Sequence, residues 1–463
     1  MGGKAAILLV LGFSVIFLVY GHRFNRLSTD SVDNLSNYYV ETKAHNIAVS
    51  AANLAANELF RDKTWETGFD NVSFDGGTYN VYVSNNVTSS GKVIICHIPP
   101  GNSAAQKTMT LPASAISGHQ HHGDILGPCP GDVMDEQKAT IVAEGTYQGI
   151  TKVVTVDLRP SYFSKFGNYY AKITAMPATG DTFNGPFHTN GKLTTWGTPV
   201  FWGKTTAKRG LRKKGYPKDP KFYGGFESGV DIPLEFDTTG MRKAASLGGK
   251  VFRDTTNSNQ KTKVKLEFLS NGDVEYKQKI GSGPWSPEVT VPLISLAPDG
   301  VIFVERGNVY VKGTLNGRLT VVASKKGKSG CGNIYQTDDL KYNSDPRANP
   351  NSTDVLGLVA ENNIRIQYNN DTRHDNVITQ ASMFALKGNI GPDNALVKND
   401  HKLASWKILG GLIAKTTRVT AHYNSAGPYE GYRFVHSYDD RFMTYVPPYF
   451  PHTRNLEIVS WYE

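Results

Sequence analysis

The chain has 463 residues, only 20% of them charged and 39% hydrophobic, with 46 Gly, 23 Tyr, 21 Phe and a net charge of +9. That length calls for two or three domains, and the low charge with abundant Gly and aromatics argues against a helical bundle and for a turn-rich β protein. The positive charge is spread too thinly for a nucleic-acid signature, although it favours weak attachment to anionic surfaces.

The first element predicted is a membrane segment. Ala5–Tyr20 (AAILLVLGFSVIFLVY) is uncharged and mostly Leu, Ile, Val and Phe. As a helix it spans about 24 Å, slightly short of the hydrocarbon core of a bilayer. No small-x-small site follows Tyr20, so a retained anchor is favoured over a cleaved signal. Lys4 on one side competes with Arg23 and Arg26 on the other, and orientation by positive charge is ambiguous. Ser28 to Asp62 contains no Pro or Gly, and Ile47, Ala51, Leu54, Ala55 and Leu59 mark one helical face. A hydrophobic half running into an Ala-rich amphipathic half resembles the spine of type IV pilins, and the chain is similar here to minor pilins and pseudopilins. The resemblance implies a helix whose second half packs on a small antiparallel sheet, pilin-like subunits as partners, and a prepilin-type cut after Gly3. The chain departs from the family in having no glutamate between Lys4 and Val40. A plain single-pass anchor with a helical stalk is the competing reading.

Two hairpins come next. Residues 69–85 alternate around Asp75-Gly76-Gly77, and Ala139–Leu158 does so around Tyr147-Gln148-Gly149. Together they predict a four-stranded antiparallel head, residues 63–158, covering the stalk of residues 1–62. Between the hairpins, at 91–135, lies an insert with two of the three cysteines and four of the twelve histidines. It reads as a loop elaboration with little regular structure. If it lies outside the cytoplasm, Cys96 and Cys129 are placed to close it as a disulfide. His97, His119, His121 and His122, with Asp124, supply ligand types suited to zinc or copper. The pattern CHIPPGN…H..HGD..G.C resembles a cassette of secreted bacterial proteins in which another histidine occupies the place of Lys107 here. Exposed histidines on a polar loop are the alternative. Cys331 reads as a free thiol.

Past Arg159-Pro160, short β-prone runs alternate with Gly and Asn. Taking Ile334, Ile364, Ile390 and Ile413 as equivalent gives steps of 30, 26 and 23 residues, the spacing of a parallel β-solenoid (parallel β-helix) over 159–463. Asn362, Asn363 and Asn389 suit its corners; a twisted β-sandwich is the alternative. A hairpin at 255–297 is expected to protrude from the stack. The phrases GPFHTNG, TPVFWGK, DDLKY and LGLVAENNI, and the terminal PPYFP, resemble a family of bacterial envelope proteins with a pilin-like N-terminus and a repetitive β domain of no established activity.

The stretch Lys204–Lys221 carries eight Lys/Arg against one Asp. It is expected to be a solvated loop, or else a polyanion-binding segment for surface polysaccharide or DNA through Lys208, Arg209, Arg212, Lys213 and Lys214. Phe201, Trp202, Tyr216, Phe222 and Tyr223 flank it, available either to stack on ligand rings or to cap core edges. Carboxylates that could serve a carbohydrate-active enzyme are Asp338-Asp339 and the group Asp371, Arg373, His374, Asp375, all in turn-like sequence. No phosphate loop, dinucleotide fingerprint or nucleophile elbow occurs. The expectation is a mainly β, non-catalytic envelope protein with one long N-terminal helix, a small antiparallel pilin-like head and a β-solenoid-like domain. It would be anchored in the cytoplasmic membrane with its domains outside, or displayed on the surface, in a structural or adhesive role.

Overall fold

The computed structural model describes residues 2–62, 65–85, 92–100, 105, 107–112, 124–126, 139–236, 238–246, 249–256, 260–373, 375–398, 402–424 and 427–463. The chain divides into two compact units. One comprises Met1–Gly91, Asp135–Arg159 and Leu456–Glu463, the other Lys92–Met134 and Pro160–Asn455.

The first unit is built on α1 (Gly2–Arg61), about 90 Å long at 1.5 Å per residue. Its residues from Ile7 onward are long and apolar enough to cross a membrane, and that apolar window is wholly uncovered. The second half is different. Ala44, Ile47, Ala48, Ala51, Ala52, Ala55, Ala56 and Leu59 are buried against Tyr79, Val81, Ile141, Ala143, Val154 and Val156 of a sheet. Leu54, expected on this face, is 43% exposed; the stripe follows 44-48-51-55-59, and position 54 points away from it.

The sheet has the order β1 (Phe69–Phe74), β2 (Gly77–Asn85), β6 (Ala139–Tyr147), β7 (Ile150–Tyr162), β32 (His452–Tyr462). Both expected hairpins form. Their turn residues have positive φ, at Asp75 (50°) and Gly76 (82°) and at Gln148 (47°) and Gly149 (81°), as a two-residue type I′ turn requires. The fifth strand was not expected. The sequence reading ran the second domain to residue 463, whereas Leu456–Glu463 return to the first unit, with Leu456 buried and Ser460 Oγ donating to Asp157 at 2.9 Å.

In the second unit the insert folds into strands. β3 (Lys92–His97) pairs antiparallel with β4 (Lys107–Pro112) and β5 (Ile125–Leu126). It therefore has regular structure, contrary to expectation, because VIICH and KTMTL are β-prone runs long enough to ladder.

The rest is organised by long parallel ladders. One runs β17 (Val251–Phe252), β21 (Val301–Val304), β23 (Arg318–Ala323), β25 (Val355–Ala360), β27 (Val377–Ala385) and β29 (Leu403–Thr416). It then continues out of sequence order through β8 (Asn168–Lys172), β10 (Phe187–Thr189), β13 (Thr205–Ala207) and β16 (Phe226–Ser228). Ala323, Ala360, Ala385 and Ala414 stand in register along it, all fully buried in one core, while the neighbouring row Val322, Val359, Phe384, Ile413 packs into a second. Burial on both faces is why these strands read as unbroken apolar runs. The second core is completed by Ile232, Leu234 and Phe236 and by the short helix Thr239–Ser246.

A second parallel ladder runs β18 (Thr262–Phe268), β22 (Gly307–Leu315), β24 (Asn333–Tyr342), β26 (Ile364–Ile366) and β28 (Ile390–Pro392). Ile334, Ile364 and Ile390 are in register here as expected. Ile413 is not; it lies in the first ladder opposite Phe384, and the side chain stacked beneath Asn389 is Thr416. The hairpin expected to protrude is instead laddered: β18 lies parallel to β22, and β19 (Asp273–Ile280) and β20 (Val289–Pro292) extend that sheet antiparallel. Alternate β18 residues, Val264, Leu266 and Phe268, are buried, and a free-standing hairpin would leave them wet. β31 (Gly427–Ser437) lies parallel to β29 and carries β30 (Ala421–Asn424) on its edge.

Two short ladders complete the turns of residues 168–228: β9 (Thr182–Phe183), β12 (Val200–Phe201), β15 (Lys221–Phe222), and β11 (Leu193–Trp196) with β14 (Leu211–Lys214). At one corner an asparagine stack passes from turn to turn. Asn308 Oδ1 accepts from the Asn333 amide (3.0 Å) and side chain (3.2 Å), Asn333 Oδ1 from Asn363 Nδ2 (3.1 Å), and Asn363 Oδ1 from the Asn389 amide (3.1 Å).

Candidate functional site

Three surfaces carry the chemistry expected from the sequence. The first is α1 itself. Its apolar half exposes Ile7, Leu8, Phe13, Ile16, Phe17 and Leu18, a run with no partner among the described residues and long enough to enter a bilayer. Its other half is held to the sheet by small residues. An added Cβ at Gly145 of β6 would stand 2.4 Å from Ala44 O and Ala48 N, so helix and strand backbones touch where neither side carries bulk.

The second is the insert. Strand β3 places His97 at its end, and Asp124, immediately before β5, receives it: His97 Nδ1 lies 2.9 Å from Asp124 Oδ2, and the Ile98 amide donates to Asp124 Oδ1 at 2.8 Å. The Asp124 side chain is 1% exposed. Asp124 is expected as a ligand beside His97; in the structure its carboxylate holds His97 Nδ1 and the Ile98 amide, a contact of the kind that orients an imidazole. Lys107 is directly opposite His97 in the β3–β4 register. His119, His121, His122 and Cys129, and the side chain of Cys96, lie outside the described residues, so the proposed disulfide and the remaining ligands do too. Among the described residues no group of three ligand side chains converges. Cys331 is a free, fully buried thiol pushed up in pKa by that burial.

The third surface is the basic stretch. It is not a loop: β13 and β14 lie within it, β15 begins at its end, and each pairs parallel with an earlier strand. Lys208 pairs with Asp231, and Lys204 with Glu227 at 2.8 Å. Arg209, Arg212 and Lys213 are exposed, Lys214 half-buried. The aromatics divide by face. Phe183, Phe201 and Phe222 stack through the turns with centroids 5.0 and 4.9 Å apart and planes within 17°. One residue further on, facing outward, Trp202 stacks on Tyr223 at 4.5 Å, 53% and 63% exposed. The signal for this was present as Phe-Trp at 201–202 and Phe-Tyr at 222–223, 21 residues apart.

The carboxylates considered for catalysis are engaged locally. Asp339 Oδ1 accepts from the Ile378 amide (2.8 Å) and Asp338 Oδ1 from the Asp339 amide (2.7 Å). Asp375 Oδ1 accepts from Asn376 (2.7 Å), while Asp371 and Arg373 turn about Asn369. His374 lies outside the described residues. Two histidines that sequence reasoning passed over are buried in the cores. His188 bonds Thr206 Oγ1 (2.6 Å) and Asn190 Oδ1 (2.8 Å), and desolvation lowers its pKa. His436 donates from Nε2 to Gly410 O (3.0 Å) and faces Asn168 Nδ2 (3.4 Å); burial pushes it down to about 4. Both are satisfied neutral imidazoles.

No protein-family model matches the chain, and no curated protein matches it. Among solved structures, that of the competence-associated pilin ComZ from Thermus thermophilus is similar over 91% of this chain and 97% of that one, with 12% identity and a TM-score of 0.31. A likeness that weak decides neither fold nor function.

Proposed function

We propose that the chain is a non-catalytic, membrane-anchored bacterial envelope protein. Its first unit is a pilin-like anchor and head that associates with pilin-like subunits, and its second is a parallel β-solenoid displayed for a structural or adhesive role. The observation that carries this reading is the division of α1. One continuous helix has a first half whose apolar window is wholly uncovered and a second half whose small-residue face is sealed onto an antiparallel sheet. A soluble enzyme has no use for the first half, and a plain anchor has no need of the second. What supports the solenoid is the register of Ile334, Ile364 and Ile390 and the asparagine stack beside them. What supports a non-catalytic role is the local engagement of Asp338, Asp339 and Asp375.

The test is membrane fractionation, with N-terminal sequencing of the mature protein and site-directed crosslinking from cysteines placed at Leu11 and Phe17. Recovery in the membrane or in pili, with crosslinks to small helical subunits, is expected; intact protein free in the cytosol overturns the proposal. Alkylation before and after reduction counts the Cys96–Cys129 disulfide.

For the insert, we propose zinc or copper held by His97 with His119, His121 and His122, Asp124 positioning His97. Elemental analysis of a His119→Ala/His122→Ala variant decides it; metal retained in that variant refutes the site. Lys208, Arg209, Arg212, Lys213 and Lys214 are proposed to give weak attachment to surface polysaccharide or DNA, measurable as affinity that falls steeply with salt.

A further inference from the structure

Among the described residues the turn formed by residues 211–228 is the last of its stack, with its three strands unpaired on one side. Among the described residues β14 pairs only with β11, β15 only with β12 and β16 only with β13. At the far end of the same unit β18 is followed by the antiparallel β19 and β20. Repeat stacks ordinarily end on a polar cap; this turn is charged but carries two half-buried phenylalanines, Phe222 and Phe226, among its exposed polar residues. Phe183, Phe187 and Phe201 are buried one and two turns in, whereas Phe222 and Phe226 are only partly buried against the same core and, among the described residues, no ring stacks on the far side of Tyr223. The backbone is open as well. The Lys221 and Tyr223 amides donate back to Pro199 O and Phe201 O, and the Gly229 amide to Ala207 O. Because successive strand residues bond to opposite sides, the N–H groups of Phe222, Phe226 and Ser228 face outward.

Charge says what fits there. Residues 211–228 contain five Lys/Arg and two carboxylates, and both carboxylates are already paired, Glu227 with Lys204 and Asp219 with Lys221. Arg212, Lys213, Lys214 and Lys218 make no salt bridge among the described residues. A second copy of this chain docking edge to edge would bring like charges together, which is how natural edges reject self-association. The same cations attract an acidic strand.

We infer that this edge is a strand-addition site for an extended acidic peptide segment with apolar residues at alternate positions. Its backbone pairs with β15 and β16, its apolar side chains continue the columns begun by Phe222 and Phe226, and its carboxylates meet Arg212, Lys213 and Lys218. The inference rests on the solenoid reading, since only a stack of turns has such an end.

The test uses the full chain in detergent micelles and a labelled peptide of alternating Glu and Val or Phe, read by fluorescence anisotropy. Ser228→Pro removes an outward N–H without touching an inward one and should weaken binding at least tenfold, with unfolding temperature unchanged. Lys213→Glu/Lys218→Glu should weaken it further and flatten the salt dependence. Equal binding by Ser228→Pro and the parent overturns the inference, as does equal affinity for polyglutamate or duplex DNA, which marks a lateral polyanion surface instead. Hydrogen exchange at Thr205 and Phe187 separates the two levels. Protected amides without peptide binding refute strand addition alone, whereas unprotected amides refute the stack and the inference with it.

Discussion

Gly145 offers the sharpest test of how α1 is held. It lies in the middle of β6, opposite Tyr79 of β2 and Lys152 of β7, with no positive φ to demand glycine. By strand propensity alone, Gly145→Val should stabilise the sheet by up to about 1 kcal/mol, since glycine is poor in strands and valine good. The helix reverses the sign. A Cβ there stands 2.4 Å from two backbone atoms of α1, Ala44 O and Ala48 N, and no rotamer change relieves a backbone contact. To reach ordinary contact the helix must lift by about 1 Å, and a gap of that size forfeits a quarter to a half of each dispersion contact along the buried face. With the strain of overpacking, a net destabilisation of about 3 kcal/mol is expected. Gly149→Ala is the control: nothing lies within 4 Å of its Cβ, but its φ is +81°, so it should cost only about 1 kcal/mol from backbone strain. Thermal unfolding of the detergent-solubilised full chain, with hydrogen exchange across residues 44–59, measures both. A Gly145→Val protein as stable as the parent or more so, with α1 amides equally protected, would refute the seating of the helix on the sheet.

Stability should fall on acidification. His436 is held neutral, with its pKa pushed from 6.5 down to about 4; an unfolded chain takes up the proton first, so about 3 kcal/mol present above pH 6.5 is lost as pH drops towards 4. His188 is shifted in the same direction. Urea titrations between pH 7 and 4 check this, and the parent's slope retained in His436→Phe refutes the assignment. Asn333→Ala removes the acceptor of Asn363 Nδ2 and the donor to Asn308 and should cost about 2–3 kcal/mol, read as faster exchange at Asn363 with β19 unaffected. Asp124→Ala strips His97 Nδ1 and the Ile98 amide of their shared partner; the expected result is a weaker metal complex at unchanged stoichiometry, by competition with a chelator.

The sequence was most informative where the pattern was local. Both type I′ hairpins were legible because Asp75-Gly76 and Gln148-Gly149 must adopt positive φ, and the two halves of α1 because a helix displays its period in a single run. Three of four positions in the repeat were correctly aligned for the same reason: Asn333, Asn363 and Asn389 precede Ile334, Ile364 and Ile390 at a fixed corner. Ile413 broke the alignment because spacing cannot tell which ladder an isoleucine joins. Leu54 was misassigned because hydrophobicity outweighed angle in a helix whose buried face is mostly alanine. The strand at the C-terminus carries alternation but nothing to say that it closes a sheet begun at residue 69. Asp124 reads as a ligand by type, and only geometry shows that its two oxygens meet His97 Nδ1 and the Ile98 amide.

The least legible feature is also the most consequential for folding. The ladder runs in sequence order from β17 to β29, and the strand that follows β29 is β8, with Leu412 opposite Asn168. The turns of residues 168–228, at steps of 19, 18 and 21 residues, are thus made first and receive their inner neighbour only after residue 416. Each parallel ladder gains stability from the pairing of adjacent strands, and contacts of such long sequence separation form late. Before then, in addition to the edge at β16, which has no second partner among the described residues, β8 itself is an unpaired edge on the side that β29 later takes. Its row Asn168, Tyr169, Tyr170 is buried in the finished molecule yet uncovered during assembly. A chain ending before Leu403 keeps β21–β27 intact but leaves β8 without its partner. Its amides at Tyr169 and Phe187 should exchange at least tenfold faster than in the full chain, while those of Val321 and Leu358 stay protected. Equal protection in the truncated chain would mean that the first turns fold on their own, and that β29 docks onto a finished surface rather than completing one.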